Sequence, residues 1–287
     1  MIKIVKQGKH TTVGDKFSIT GQSPYMKDHV TKVTVSPKES GICFFVDGEK
    51  IKVTGLSMKP SGGVYATFLS NNQGKVVKLT EHLLSALTGM GVTAANIELE
   101  GSNQVPVPDR TAQFFCQEIK RVGIVKTKVD LLVAKVIKDI YFTDELGSVA
   151  ILRPDDGLKV SALVQFLNLF EDQYLKVDIT LDNYWSEIMW ARPFLRCDCP
   201  TNDDYLSAIK SLKSFPKEME KSPAMVRSNG VWINGMRPLE PVRHKILDII
   251  GDLSVLGYPL KADVCLIRPG HEFHRKLIGF LLTMMRC

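Results

Sequence analysis

The first 78 residues form a series of short apolar runs separated by turn residues. β-branched side chains dominate the runs, while glycine, proline, asparagine and aspartate fill the gaps between them. This alternation is typical of β-strands joined by tight turns. The pattern predicts strands at residues 2–5, 30–35, 42–46, 50–53 and 64–69.

The spacing of apolar residues changes at Thr80, where it becomes helical. Apolar side chains then recur at three- and four-residue intervals as far as residue 90, with Thr80 as the N-cap and Gly89 and Gly91 as stop signals. The pattern after this helix predicts a strand at 95–99 and a second helix at about 110–122.

The second half of the chain repeats this order, with strands first and helices last. Its first part predicts strands at 125–137, 149–152, 158–164 and 175–181, then a helix at 184–192. A polar segment at 197–236 follows as an insertion, with a short helix at 204–212 and a strand at 231–233. The end of the chain predicts a helix at 242–256, a strand at 262–267 and a helix at 271–285.

Both halves therefore end in helix, strand and helix. The first helix of each set carries a histidine near its start, His82 in one half and His244 in the other. We interpret this repeat as an internal duplication. The alternative is that helix–strand–helix segments are simply common.

The composition is that of an ordinary globular protein. The 287 residues are 44% hydrophobic and 24% charged, and a chain of this length typically contains about two domains. There is no run of about 18 apolar residues and no apolar signal core, so we expect neither a membrane span nor export. Six scattered cysteines indicate reduced thiols in a cytoplasmic protein.

The net charge of +6 mildly favours an anionic partner. The sequence has no basic tail, no RNA-binding aromatic run and no zinc-finger spacing, so we expect no nucleic acid. A small molecule that carries phosphate fits this charge as well as nucleic acid does.

His244, Asp248 and Asp252 recur at four-residue intervals on one predicted helix, so they share one helix face. An imidazole and a carboxylate on one face form a common half-site for Zn²⁺, which takes three protein ligands in catalytic sites. The alternative is a solvated histidine–aspartate pair on a surface helix.

Glu81 and His82 begin the matching helix of the first half. Adjacent helical residues diverge by about 100°, so they are poorly placed to bind one metal ion together. His82 could bind the ion while Glu81 addresses its water as a general base. The alternative for Glu81 is an acid that complements the helix dipole.

His271 opens the last predicted helix, directly after Gly270. The positive helix end opposes protonation of this histidine, whereas a nearby carboxylate such as Asp252 favours it. A protonated His271 would stabilise an oxyanion or protonate a leaving amine, and the alternative is a capping histidine. His274, one turn further on, is predicted to lie at the surface.

These segments together resemble the zinc-dependent UDP-3-O-acyl-N-acetylglucosamine deacetylases of lipid A biosynthesis. The order and spacing match over nearly the whole chain, and the segment at 243–253 is the most specific. The matching segments are 79–87 (LTEHLLSAL), 96–99 (NIEL), 105–109 (VPVPD), 191–194 (ARPF), 243–253 (RHKILDIIGDL), 270–271 (GH) and 276–277 (KL).

The resemblance implies an α+β fold of two similar domains, 1–123 and 124–287, with the active site between them. Each domain would be a β-sheet packed against two helices, and the insertion at 197–236 would help to form the passage for an acyl chain. The implied substrate is a UDP-sugar with an acyl chain, which allows a transient contact with a membrane surface.

The resemblance also implies a role for each residue of the site. Zn²⁺, with Fe²⁺ as the alternative metal, would be held by His82, His244 and Asp248. Glu81 would be the general base. The remaining implied residues are His271, held by Asp252, as general acid or electrostatic partner, Lys245 near the anionic part of the substrate, and Phe194 as a substrate contact.

The chain departs from the family pattern at Pro193. The family has a threonine there, which helps to stabilise the tetrahedral intermediate, whereas proline has neither a hydroxyl nor an N–H group. The function implied first is a zinc amidase that acts on the acylated UDP-sugar. The alternatives are a paralogue that deacetylates another N-acetyl sugar and a non-catalytic binding protein, which is disfavoured because the base and all the metal ligands are present.

Overall fold

The computed structural model describes residues 1–23, 26–60, 62, 66–166, 169–196, 224–226, 229–232 and 234–285. Its strands in the first half are β1 (Ile2–Val13), β2 (Phe17–Ser23), β3 (Met26–Ser36), β4 (Gly41–Val46), β5 (Glu49–Lys52), β6 (Met58–Lys59), β7 (Phe68–Ser70), β8 (Val76–Lys78) and β9 (Ala94–Glu100). Those in the second half are β10 (Ile124–Val136), β11 (Ile140–Thr143), β12 (Val149–Arg153), β13 (Leu158–Val164), β14 (Gln173–Asp178), β15 (Phe194–Arg196), β16 (Ala224–Val226) and β17 (Leu260–Ile267).

Five α-helices accompany these strands in the described part of the chain. They are α1 (Glu81–Gly89), α2 (Gln113–Val122), α3 (Leu181–Asn183), α4 (Glu240–Ser254) and α5 (His271–Met285). The short helix α3 continues as a π-helical turn, Tyr184–Ile188. None of the described helices is both long enough and apolar enough to span a membrane.

The strands of both halves join in one sheet. Its main path runs β11-β12-β17-β10-β1-β9-β3-β2. At the centre β1 and β10 pair antiparallel, from Ile2 opposite Val136 to Val13 opposite Ile124. The order is the same from this centre outward in both directions: β1, β9, β3 and β2 on one side, and β10, β17, β12 and β11 on the other.

The strands beside this path are also arranged in the same way in both halves. Strand β4 pairs parallel with β9 and antiparallel with β5, while β13 pairs parallel with β17 and antiparallel with β14. The helices α1 and α4 therefore hold equivalent places, as do α2 and α5. This arrangement agrees with the repeat of helix, strand and helix that the sequence predicts.

The backbone repeats as well. Of the five non-glycine residues with positive φ in the described chain, four precede these equivalent helices. Leu79 (φ 60°) and Leu239 (φ 56°) lie just before α1 and α4, while Arg110 (φ 60°) and Arg268 (φ 57°) lie just before α2 and α5. Because such conformations are costly and persist where the surrounding structure fixes them, we infer that the entry of each helix is held in place by its contacts.

The predicted α+β class is confirmed: a large sheet is combined with a few helices. The predicted strand at 64–69 is shorter, since β7 begins at Phe68, and residues 63–65 lie outside the described chain. The predicted helix at 184–192 is instead a π-helical turn that ends at Ile188. The predicted helix at 204–212 lies outside the described residues, and the domain boundary at residue 123 stays a prediction.

Candidate active site

Three potential metal ligands meet where α1 packs against α4. The ligand atoms of His82, His244 and Asp248 all lie within 4.8 Å of one another, and all three side chains are buried. The Nε2 atom of His244 is 3.4 Å from Oδ1 of Asp248, and the centroids of the two imidazole rings are 5.2 Å apart. Two imidazoles and one carboxylate are a ligand set that suits Zn²⁺ or Fe²⁺.

Two polar atoms of this cluster have no partner in the protein. Nδ1 of His82 and Oδ1 of Asp248 are buried and make no hydrogen bond. A buried polar atom without a partner costs free energy, so it calls for an explanation such as an ion. These are the atoms that a metal ion at this place would satisfy, and the residues present therefore fit a metal centre.

The orientation of His244 is set by the segment that follows the π-helical turn. Its Nδ1 donates a hydrogen bond to the carbonyl oxygen of Ala191 at 3.0 Å. Because the carbonyl can only accept, this bond leaves Nε2 unprotonated and facing Asp248. Arg192, next in the chain, bonds Glu240 at the start of α4 at 2.8 Å, which ties this segment to the helix that carries His244.

The charge states of the three side chains are those that bind metal. Burial, together with the nearby His244, lowers the pKa of His82 to about 4. Burial also lowers the pKa of His244. Although burial alone would raise the pKa of Asp248, the positive charges of Lys245 and His271 hold it well below its usual range. Neutral imidazoles and an ionised carboxylate result.

Glu81 is buried beside this cluster, at the first position of α1. The backbone N–H of Thr67 donates to its Oε2 at 2.9 Å. Burial is the main cause that raises the pKa of Glu81; the charge of His271 lowers this pKa, and the charge of Asp252 raises it. The resulting pKa is about 7. A carboxyl group whose pKa lies near neutrality can both accept and return a proton, as general base catalysis requires.

Asp252 is the centre of a second cluster, in which Asp252 and His274 are buried and His271 is partly buried. Oδ2 of Asp252 accepts hydrogen bonds from Nδ1 of His271 and Nδ1 of His274, each at 2.7 Å. Its Oδ1 accepts from the hydroxyl of Thr67. The ligand atoms of Asp252, His271 and His274 also lie within 4.8 Å of one another. We consider them a hydrogen-bond cluster, because both imidazoles already donate to the carboxylate.

This cluster keeps His271 protonated. Burial opposes protonation, but the charges of Asp252 and Asp248 raise the pKa of His271 to about 9. The pKa of Asp252 falls to about 2, because the charge of His271 and its hydrogen bond outweigh burial. Nε2 of His271 lies 3.9 Å from Asp248. The site therefore sets an imidazolium beside the three potential metal ligands.

Lys245 and Phe194 lie at the edge of the cluster. Nζ of Lys245 donates to Oδ2 of Asp248 at 2.9 Å and lies 5.7 Å from the centroid of the Phe194 ring. Phe194 packs edge-on against Phe166 and Phe170, with centroid distances of 4.8 and 5.4 Å. Substrate contact by Lys245 and Phe194 stays a prediction.

Residues 10–283 match the family described as LpxC: UDP-3-O-acyl N-acetylglycosamine deacetylase. The chain belongs to this family. The resemblance stated from the sequence motifs is therefore confirmed.

Individual members of the deacetylase family are similar over most of their length. A UDP-3-O-acyl-N-acetylglucosamine deacetylase of Thermodesulfovibrio yellowstonii is 28% identical over 93% of this chain and 91% of its own. One from Campylobacter fetus is 29% identical over 96% of this chain and 92% of its own. One from Trichormus variabilis is 32% identical over 77% of this chain and 80% of its own.

The structure brings together the six ionisable residues that the deacetylase motifs single out. They are Glu81, His82, His244, Asp248, Asp252 and His271. The prediction that His274 lies at the surface is wrong, since it is fully buried and bonded to Asp252. The reason is its position on the inner face of α5, four and seven residues before the buried Ile278 and Leu281.

Two contributors were not found from the sequence. Thr67 lies 14 residues from Glu81 and 185 residues from Asp252, and it bonds both. No helical spacing or motif connects residues so far apart. Ala191 lies within the ARPF motif, but its contribution is a backbone carbonyl, which every residue type carries. The only sequence feature that points to Ala191 is its place in this motif, directly before Arg192.

Proposed function

We propose that this protein hydrolyses the N-acetyl group of a UDP-3-O-acyl-N-acetylglucosamine and releases acetate, as a step of lipid A biosynthesis. One observation carries the proposal: a buried carboxyl group with a pKa near 7 and a partly buried imidazolium lie beside a three-residue metal-ligand set. Membership of the deacetylase family supports the substrate. An amidase needs both a proton acceptor and positive charge at the carbonyl oxygen.

His82, His244 and Asp248 would hold the metal ion, which we propose to be Zn²⁺. The unpartnered Nδ1 of His82 and Oδ1 of Asp248 support this assignment. When bound, such an ion polarises the acetamide carbonyl and makes a water molecule more acidic. Ligand type separates Zn²⁺ poorly from Fe²⁺, so the metal is identified by elemental analysis of the purified protein.

Glu81 takes the proton from the attacking water. Its pKa near 7 leaves a large fraction ionised at neutral pH, and the N–H of Thr67 fixes the position of its carboxylate. The water oxygen bonds to the acetyl carbon, whose carbonyl oxygen gains negative charge. The amide C–N bond then breaks, the sugar nitrogen receives a proton, and acetate leaves.

His271 supplies positive charge while the oxyanion forms and the amine leaves. Asp252 holds the imidazolium by a 2.7 Å hydrogen bond, and Thr67 bonds the same carboxylate. The imidazolium either stabilises the oxyanion or donates the proton that the leaving amine needs. Lys245, whose ammonium group lies between Asp248 and Phe194, would face the anionic part of the substrate, and Phe194 would contact its apolar part.

A panel of three compounds tests the proposal. Acetate release is measured from a UDP-3-O-acyl-N-acetylglucosamine, from UDP-N-acetylglucosamine without the acyl chain, and from free N-acetylglucosamine. We expect turnover of the first compound only. Faster turnover of either other compound would favour the paralogue, while binding of the first compound without acetate release by metal-loaded protein would favour a non-catalytic role.

A further inference from the structure

A second concave site lies away from the catalytic cluster. It is a cavity of about 700 Å³ between the two halves of the chain, and it is lined by Thr88 and Gly91 at the end of α1 and by Leu253 and Ser254 at the end of α4. None of the six clustered ionisable residues lines it. Its size falls within the usual range of small-molecule sites, which occur preferentially where domains or halves meet.

Both halves contribute aliphatic side chains to the wall of the cavity. Ile42 and Val92 come from the first half, while Val133, Leu158 and Leu253 come from the second. These residues come from separate strands, loops and helices. Such a wall favours an apolar ligand body, because burying apolar area is the main source of binding free energy there.

The charged side chains that line the cavity all carry the same sign. They are Lys38, Lys50, Lys52 and Lys261, and no aspartate or glutamate lines the cavity. In the described part of the chain, no ion pair is formed by any of these four lysines. A cleft lined by charges of one sign concentrates the potential and attracts an anion.

Three of the lysines surround one side of the cavity. Ile51 of β5 is fully buried, so its neighbours Lys50 and Lys52 project from the opposite face of the strand. Lys52 lies opposite Cys43 of β4. The ammonium group of Lys38 donates to the thiol of Cys43 at 2.8 Å. The positive charge is therefore concentrated beside the apolar wall.

We propose that this cavity binds a single-chain amphipathic anion, in which an apolar chain ends in a carboxylate or a phosphate. The aliphatic wall accepts the chain, and Lys38, Lys50 and Lys52 bind the anionic end. This inference does not rest on the proposed deacetylase function, because the cavity and the catalytic cluster share no residue.

Equilibrium dialysis tests the proposal with two probes, palmitate and hexadecyl phosphate, which distinguish a carboxylate from a phosphate end. We expect at least one probe to bind with one-to-one stoichiometry. The Lys50→Glu/Lys52→Glu variant should bind it roughly 10-fold or more weakly, because charge-assisted hydrogen bonds are lost. A matched control, Lys3→Glu/Lys126→Glu, reverses two exposed lysines that do not line the cavity and should bind like the unaltered protein.

Two further measurements keep the test decisive. The methyl ester of palmitate has no charge and should bind equally to both variants. Palmitate with a photoreactive group near its chain end should label residues 41–53, 88–93 or 250–261 of the unaltered protein, whatever the folding of the variants. Absence of saturable binding, equal palmitate affinity in all proteins, or labelling confined to the surroundings of Phe194 and His244 would overturn the proposal.

Discussion

Gly251 of α4 lies directly against the backbone carbonyl of Glu81 at the start of α1. A Cβ atom built on Gly251 would lie only 2.1 Å from that oxygen, much closer than two such atoms approach in proteins. The missing side chain therefore allows the two helices to meet at this point. Since Glu81 and His82 come from α1, while His244, Asp248 and Asp252 come from α4, this contact helps to set the spacing of the whole cluster.

We predict that Gly251→Ala displaces α1 from α4 and lowers both stability and turnover. Overpacking of this kind typically costs about 1–3 kcal/mol in the free energy of unfolding. Gly279→Ala is a matched control, because Gly279 lies within α5 and its added Cβ would meet nothing within 4 Å. That change should stabilise the helix by about 0.5–1 kcal/mol. Urea unfolding and steady-state kinetics measure both effects, and unaltered kinetics in Gly251→Ala would show that the contact does not position Glu81.

Glu81→Gln should remove the proton acceptor while keeping the shape of the side chain. We expect turnover to fall by about 10²–10⁴-fold, as is typical for the loss of a general base, with metal content unchanged. Glu272→Gln is the control, since Glu272 is also an acid in the first turn of a helix but is exposed and paired with Arg275. Parallel loss of metal and turnover in Glu81→Gln would make Glu81 a metal ligand or a structural residue.

The pH dependence of kcat/KM should be bell-shaped. Glu81 must be ionised to accept a proton, so the rate rises as the pH passes through its pKa of about 7. His271 must be protonated, so the rate falls as the pH passes through its pKa of about 9. The residual activity of His271→Ala should lack the fall at alkaline pH. A fall of equal size in that variant would assign the alkaline limb to another group.

The sequence predicts the catalytic cluster better than it predicts the edges of the sheet. The helices α1, α4 and α5 carry clear apolar periodicity, and their ionisable residues recur at helical spacing. By contrast, the apolar pattern does not predict β2. This strand lies at the edge of the sheet, and its buried apolar side chains are only Phe17 and Ile19 among those that the structure describes. A strand with so few inward apolar residues has little periodicity to detect.

Contacts between distant segments could not be predicted either. Thr67 reaches Asp252 across 185 residues of sequence, and the burial of His274 depends on how α5 packs. Both follow from the tertiary arrangement of helices around the sheet and not from local propensity. The sequence therefore indicates which residue types are available for chemistry, while their second layer of hydrogen bonds emerges only from the fold.

The Pro193→Thr variant tests whether the site lacks a hydrogen-bond donor for the oxyanion. Pro193 offers only its carbonyl, which accepts a hydrogen bond from Ala224, whereas threonine adds a hydroxyl. We expect turnover to rise by up to about 10-fold, equivalent to about 1.4 kcal/mol of activation barrier, with a smaller change in KM. Because threonine removes the constraint that the proline ring places on the backbone, thermal unfolding is used to check that the variant stays stable. Unchanged or lower turnover in a folded, metal-loaded variant would mean that this position no longer contacts the oxyanion.

Titration of the metal-free protein with Zn²⁺ tests the central claim most directly. Bound metal and acetate release from the acylated UDP-sugar are measured in the same samples, for the unaltered protein and for His82→Ala and His244→Ala. The account predicts that acetate release rises with bound metal up to one equivalent per chain, and that both variants lose tight metal binding and turnover. Full turnover without metal, or variants that keep both metal and turnover, would contradict it.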